Sequence, residues 1–266
     1  KQLRGELYHR LGGKVLSPAS PGVMEDRPLA QLLQLAGILA ERERYQGVEI
    51  FTRVIAPLAW RLAAFRYDNM DEGLIDESIL ATLERNYQDF LAGYEKSPAR
   101  AAGARDIVTV SERLKGVVAV MDGLRYDLWL ILREVLETEG LKIKEQPFVM
   151  PGPTMTSHFR GLLGIGETEE TDGRTALLKW SERGLQTREL KRFLKGEAER
   201  KVLHFNFIDS KMHNSTLDTY PLYLNIKSEF IQGILPILKL LPPYTLISDH
   251  GFIDTGKLKA RYTHGG

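Results

Sequence analysis

The chain has 266 residues, 43% of them hydrophobic and 27% charged, a composition that is typical of a soluble globular protein of one large or two ordinary domains. It contains no cysteine, which excludes disulfides and thiol catalysis and favours a cytoplasmic location. The net charge is +1, so bulk electrostatics predict at most weak binding of nucleic acid. No run of about 18 apolar residues predicts a membrane span, and residues 1–23 lack the pattern of a signal peptide.

Residues 24–96 have the apolar spacing of three helices. Asp26 and Pro28 indicate the start of the first helix, which is expected to end near residues 41–44. The second is predicted over residues 48–67, where Pro57 should kink or divide it, and Asp76 is expected to cap the third. Their apolar stripes favour a shared core, with a docking surface for a partner as the alternative. Residues 97–106 have linker composition, so we predict a helical region over 1–106.

Residues 107–266 alternate short apolar runs with helical stretches, and this pattern predicts an α/β domain with a doubly wound, mostly parallel sheet. Strands are expected at residues 117–121, near 148–149, and at 202–208 and 244–248. Residues 126–136 are predicted to form a helix, and residues 175–201 a charged helical region. Its basic side chains favour a solvated face, with phosphate contacts as the alternative. We expect this domain to be incomplete at its C-terminus.

Acidic residues follow three of the predicted strands. Asp122, Asp209 and Asp249 come directly after apolar runs, and parallel strands bring their carboxyl ends to one edge of a sheet. His213 lies four residues after Asp209, and His250 is the neighbour of Asp249. Carboxylate and imidazole groups are ligands of catalytic divalent metals. The alternative for Asp209 and His213 is a capping carboxylate and a surface histidine.

A hydroxyl group stands where another helix is expected to begin. Thr154 follows the segment Pro-Gly-Pro, and helix N-termini present unpaired N–H groups that favour anions. Thr154 is therefore either an ordinary helix cap or, beside a metal, a nucleophile.

The order of these residues resembles the alkaline phosphatase superfamily, and their spacing resembles its nucleotide pyrophosphatase/phosphodiesterase branch. That order is Asp122, Thr154, Asp209 with His213, Asp249 with His250, and finally His264. The stretches Val-Met-Asp-Gly-Leu-Arg, Ser-Asp-His-Gly-Phe and Arg-Tyr-Thr-His-Gly-Gly are most similar to PglZ-domain proteins, known from BREX phage-defence systems and from a response regulator of type IX secretion. The resemblance covers residues 116–266 and implies an alkaline-phosphatase-like fold for this part of the chain.

The resemblance also implies a set of site residues. Two divalent ions, Zn²⁺ with Mn²⁺ as the alternative, would be bound by two groups: Asp209, His213 and His264 in one, and Asp122, Asp249, His250 and the Thr154 hydroxyl in the other. Thr154 would be the nucleophile. Arg125 and Arg160 are candidates to clamp the phosphate, and a surface ion pair is the alternative for each.

The activity implied is that of a two-metal phosphodiesterase or phosphatase. Its expected substrates are phosphodiesters, such as nucleotide or oligonucleotide phosphates, in a prokaryotic phage-defence or signalling system. The alternative is a catalytically idle, metal-bound structural module that assembles with other proteins of a BREX-type defence complex.

Overall fold

A computed structural model describes residues 27–69, 77–95, 105–106, 114–145, 148–149, 156–166, 171–180 and 185–249. The described residues fall into two compact units, one within Lys1–Ile107 and Tyr126–Val149, the other within Val108–Arg125 and Met150–Gly266. This division follows packing within the chain. The domain boundary between residues 106 and 107 stays a prediction.

The first unit contains the three expected helices. Helix α1 spans Arg27–Glu41, a helical stretch of Val48–Ile50 and Phe51–Ile55 leads into α2 at Ala56–Asn69, and α3 spans Glu77–Glu95. Their apolar stripes pack on one another in a single buried cluster made of Leu32, Leu35, Leu58, Leu62, Phe65 and Leu83. For these residues the shared core is confirmed, and they offer no docking surface.

Pro57 does not divide the second helix. Residues Phe51–Ile55 form a π-helical turn whose last hydrogen bond runs from the Ala56 N–H to the Phe51 carbonyl, immediately before the proline. A proline ring clashes with the carbonyl four residues earlier, and a wider turn relieves that crowding. The same arrangement recurs in the second unit, where the π-helical turn Phe230–Ile234 precedes Leu235 and Pro236.

The first unit also contains helix α4, Tyr126–Thr138, which confirms the helix expected there and contacts α2. Strand β1, Arg105–Asp106, pairs in parallel with β3, Phe148–Val149. The expectation that residues 148–149 belong to the main sheet is therefore wrong. In the sequence Pro151 follows almost at once, and a proline cannot donate to a strand ladder, so a long core strand has no room there.

The second unit is built on a four-stranded parallel sheet in the order β4-β5-β2-β6. Its strands are β2 at Gly116–Met121, β4 at Thr175–Lys179, β5 at Arg200–Phe205 and β6 at Tyr244–Ser248. Residues 117–121 of β2 are all buried, as expected for a parallel strand covered on both faces. Together with the helices, this sheet confirms the α/β class.

Two boundaries differ from the sequence prediction. The region 175–201 is not helical throughout, because it starts with strand β4 and its helix covers only Thr187–Lys195. The strand expected at 202–208 ends at Phe205, and a helix begins at Phe207. The helices of this unit are α5 at Thr156–Leu162, α6 at Thr187–Lys195, α7 at Phe207–Asn214, α8 at Thr219–Glu229 and α9 at Leu235–Leu238. In the part of the chain that is described, no helix is long and apolar enough to cross a membrane.

Candidate functional site

Three acidic residues meet at the carboxyl edge of the sheet. The register aligns Met121 with Phe205 on one side and with Ser248 on the other, so β2, β5 and β6 end at the same level. Asp122 and Asp249 are the next residues after β2 and β6, and Asp209 lies in the first turn of α7, just after β5. This edge is where open α/β sheets bind their ligands.

Hydrogen bonds through the backbone connect the three residues. The N–H of Asp209 donates to the carbonyl of Asp122 at 3.2 Å. The N–H of Gly123 donates to Oδ1 of Asp249 at 3.1 Å. Asp122 is itself fixed by its N–H, which donates to the Phe205 carbonyl at 2.9 Å. The main chain after β2 therefore holds both the helix that carries Asp209 and the side chain of Asp249.

Gly123 makes this close approach possible. Its φ is +75°, a left-handed conformation that residues with a Cβ atom rarely adopt. A Cβ atom at this position would lie 3.1 Å from the Cβ and 3.2 Å from the Cα of Asp209, closer than ordinary van der Waals contact. Sequence analysis did not select Gly123, although the Asp-Gly pair at the end of a buried strand is a signal for a tight turn.

The carboxylates at this edge are buried to different degrees. Asp122 is 6% exposed and Asp249 is 2% exposed, whereas the side chain of Asp209 is 29% exposed. Burying carboxylates is unfavourable unless hydrogen bonds or positive charge compensate them. By their chemistry, the two buried carboxylates at this sheet edge are of the ligand type that divalent cations accept.

Asp209 and His213 lie one turn apart on α7, and the His213 Nε2 is 3.3 Å from the Asp209 Oδ1. The two side chains therefore come from one turn of the same helix. Asp209 is not the N-cap of α7, because that position belongs to Asn206. The His213 side chain is 77% exposed, so the structure leaves this pair accessible to solvent.

A histidine that sequence analysis missed lies beside Asp122. His204 is on β5, is only 4% exposed, and places its Nε2 3.3 Å from the Asp122 Oδ2. The sequence signal was present, because His204 is the one polar residue in the otherwise apolar end of the strand, Val202–Phe205. A polar side chain in a buried run indicates either a structural hydrogen bond or a functional site.

The remaining candidates are described in part. Arg125 lies half-buried after β2, and Arg160 lies half-buried in α5. Thr154, His250 and His264 lie outside the described residues. Among the described residues, no group of three or more His, Asp or Glu side chains could hold a metal ion. Each proposed metal group includes at least one of the residues that are not described.

The basic side chains of α6 are exposed, while its Leu190 is buried. This is compatible with the solvated face and with the phosphate contacts, and both stay predictions.

Comparison with models of known protein families finds no match, and comparison with curated protein sequences finds none either. The fold and the hydrogen bonds described here define an α/β protein whose acidic strand ends share one edge of a parallel sheet.

Proposed function

We propose that this chain is a metal-dependent phosphoric ester hydrolase of the PglZ type, on a doubly wound, alkaline-phosphatase-like sheet. The observation that carries the proposal is the meeting of Asp122, Asp209 and Asp249 at one sheet edge, joined by the hydrogen bonds of Asp122 and Gly123. These are three of the ligands that the resemblance implies, and they come from three separate parts of the chain.

Two groups of residues would hold the metals. Asp209 and His213 would act with His264, and Asp122 and Asp249 with His250 and Thr154. When bound, a pair of divalent ions supplies positive charge that stabilises both the attacking and the leaving oxygen of a phosphoryl transfer. Among the described residues, the three carboxylates and the His213 imidazole fit this role, because carboxylate oxygen and imidazole nitrogen are ligands that suit Zn²⁺ and Mn²⁺.

Thr154 is the residue to which we assign the nucleophilic role. Its hydroxyl oxygen would form a bond to phosphorus as the ester P–O bond breaks, and the leaving oxygen would depart as an alcohol. Water would then cleave the phosphothreonine and restore the hydroxyl. Arg125 and Arg160 would bind the non-bridging oxygens of the phosphate, for which the planar guanidinium is suited.

The substrate class that we propose is a phosphodiester of the nucleotide or short oligonucleotide type. A monoester dianion requires more positive charge around its terminal oxygens than a diester does. Beyond the metals, Arg125 and Arg160 are the two side chains to which we assign this task. The biological setting proposed from the resemblance is a prokaryotic phage-defence or signalling system.

The test is hydrolysis of bis-p-nitrophenyl phosphate by metal-free protein and by protein supplied with Zn²⁺ or Mn²⁺. We expect turnover only with metal, and its loss in Thr154→Ala. Thr156→Ala is the matched control, because it removes a second threonine hydroxyl two residues away and should keep activity. Protein that binds metal but does not hydrolyse this diester would contradict the proposed hydrolase activity. It would favour the alternative of a catalytically idle structural module.

A further inference from the structure

His204 occupies a rigid position beneath the carboxyl edge of the sheet. It lies on β5 between two neighbours, with Lys179 of β4 on one side and Val120 of β2 on the other. Its carbonyl also accepts a hydrogen bond of 2.8 Å from the Trp180 N–H. Its backbone is therefore fixed from both sides, which is what a residue needs in order to hold another side chain in place.

The register directs His204 towards Asp122. Val120 is its partner in β2, and side chains two residues apart along a strand start from the same face. Asp122 follows Val120 by two residues. The observed separation of 3.3 Å between the His204 Nε2 and the Asp122 Oδ2 agrees with this arrangement and is slightly longer than an ordinary N–H···O hydrogen bond.

The His204 Nε2 is shielded from solvent and has no aligned hydrogen-bond partner. A polar ring nitrogen buried in this state is unfavourable, and the Asp122 Oδ2 lies 3.3 Å from it. His213 is different, because its side chain is 77% exposed and water can satisfy its nitrogen atoms.

We propose that His204 is a positioning residue, which donates a hydrogen bond from Nε2 to the Asp122 Oδ2 and so orients this carboxylate for metal binding. The role in metal binding rests on the proposed function, whereas the hydrogen bond itself does not. With one oxygen of Asp122 directed by His204, the carboxylate has fewer orientations to lose when a cation binds. Such outer partners tune metal affinity without touching the metal.

Three variants separate this role from simple packing. His204→Leu replaces the imidazole with an apolar side chain of comparable size and so removes the donor. His204→Gln retains an N–H donor. Val202→Ala is the control, because Val202 is a fully buried neighbour two residues earlier on the same face of β5. Its loss should lower stability without affecting Asp122.

The first measurement uses metal-free protein. Urea unfolding of wild type, His204→Leu, Asp122→Ala and the double variant gives a double-mutant cycle, because each single variant removes one partner of the hydrogen bond. We expect the double variant to lose less stability than the sum of the two single variants, whereas Val202→Ala and Asp122→Ala should be additive. Additive losses for His204 and Asp122 would overturn the hydrogen bond and with it the inference.

The second measurement is Zn²⁺ affinity, by competition with a chelator. We expect His204→Leu to bind Zn²⁺ about 10- to 100-fold more weakly with an unchanged number of ions, His204→Gln to recover part of the affinity, and Val202→Ala to match wild type. Unchanged affinity in His204→Leu, or complete loss of one ion, would overturn the positioning role alone. A wild-type protein that binds no Zn²⁺ would instead overturn the proposed function and the role in metal binding, while the metal-free cycle still reports on the hydrogen bond.

Discussion

Replacing Gly123 with alanine tests whether the close packing of β2 against α7 builds the site. Gly123 has a φ of +75°, and an added Cβ would lie 3.1 Å from the Asp209 Cβ. The substitution therefore combines backbone strain with a steric contact at a residue that is a proposed metal ligand. Gly116, at the other end of β2, is the matched control, since its φ is +72° and no atom lies within 4 Å of its added Cβ.

The two substitutions share one energetic term and differ in the other. A left-handed conformation costs a residue with a Cβ about 1–2 kcal/mol, and the stiffer unfolded chain offsets roughly 0.4–1 kcal/mol of this. We therefore expect Gly116→Ala to lose about 1 kcal/mol of unfolding free energy. Crowding against Asp209 adds about 1–3 kcal/mol, so Gly123→Ala should lose about 2–4 kcal/mol.

The assay is urea unfolding followed by circular dichroism, with Zn²⁺ binding and hydrolysis of bis-p-nitrophenyl phosphate measured on the same preparations. Gly123→Ala should also weaken Zn²⁺ binding and slow turnover, because α7 and Asp209 must move away from Asp122. Gly116→Ala should leave both unchanged. Equal losses of stability in the two variants, or full activity in Gly123→Ala, would refute the claim that this contact positions Asp209.

Three further predictions follow from the site and from the first unit. The purified protein reconstituted with Zn²⁺ should hold two ions per chain by elemental analysis, and a content of zero would contradict the two-metal proposal. The kcat/KM for bis-p-nitrophenyl phosphate should exceed that for p-nitrophenyl phosphate under one metal condition, and a clear preference for the monoester would overturn the diester assignment. Burial, followed by the hydrogen bond to Glu145, raises the pKa of Tyr126 above its ordinary value. The neutral phenol therefore stabilises the fold fully below about pH 10, and that contribution is lost as the pH rises further. Urea unfolding of Tyr126→Phe should show a smaller decline above about pH 10 than wild type, and an identical decline would show that Tyr126 makes no such contribution.

Elements with a strong local signal could be predicted from the sequence. Helix α1 has a run of leucines at helical spacing, and strand β6 at Tyr244–Ser248 is a short apolar run that the structure reproduces with the expected bounds. Strand β2 could be predicted for the same reason, since five consecutive apolar residues, Val117 to Met121, indicate a strand of a parallel sheet. In these cases the residues that form the core also carry the periodicity.

Strand β4 could not be predicted because its sequence favours a different structure. Residues Thr175–Lys179 read Thr-Ala-Leu-Leu-Lys, and alanine, leucine and lysine are good helix formers. They form a strand because they pair with β5 along its length, from Thr175 opposite Arg200 to Lys179 opposite His204. Its other edge has no partner strand in the described sheet. Pairing across the sheet is non-local, so nothing within residues 175–179 announces it.

The boundary between β5 and α7 shows a related limit. The mostly apolar run Val202–Ile208 looks like one strand, but Asn206 interrupts it. Phe207 and Ile208 are buried as residues of helix α7 and not of the strand. Hydrophobicity shows that residues are buried, but a short run does not show which element buries them. For the site this difference matters, because a helix places Asp209 and His213 on one face and brings the Asp209 N–H to the Asp122 carbonyl.

The candidate site therefore depends on two kinds of information in the chain. The order of acidic residues after apolar runs was sufficient to predict that Asp122, Asp209 and Asp249 share an edge, because parallel strands align their carboxyl ends. The contacts of Gly123 and His204 depend on how β5 and α7 lie beside β2, and the register supplies that information by placing His204 opposite Val120. Sequence order selects the residues that meet, and packing between neighbouring strands determines which of them hold the others in place. Variants of Gly123 and His204 should therefore alter the site without removing any of its proposed ligands.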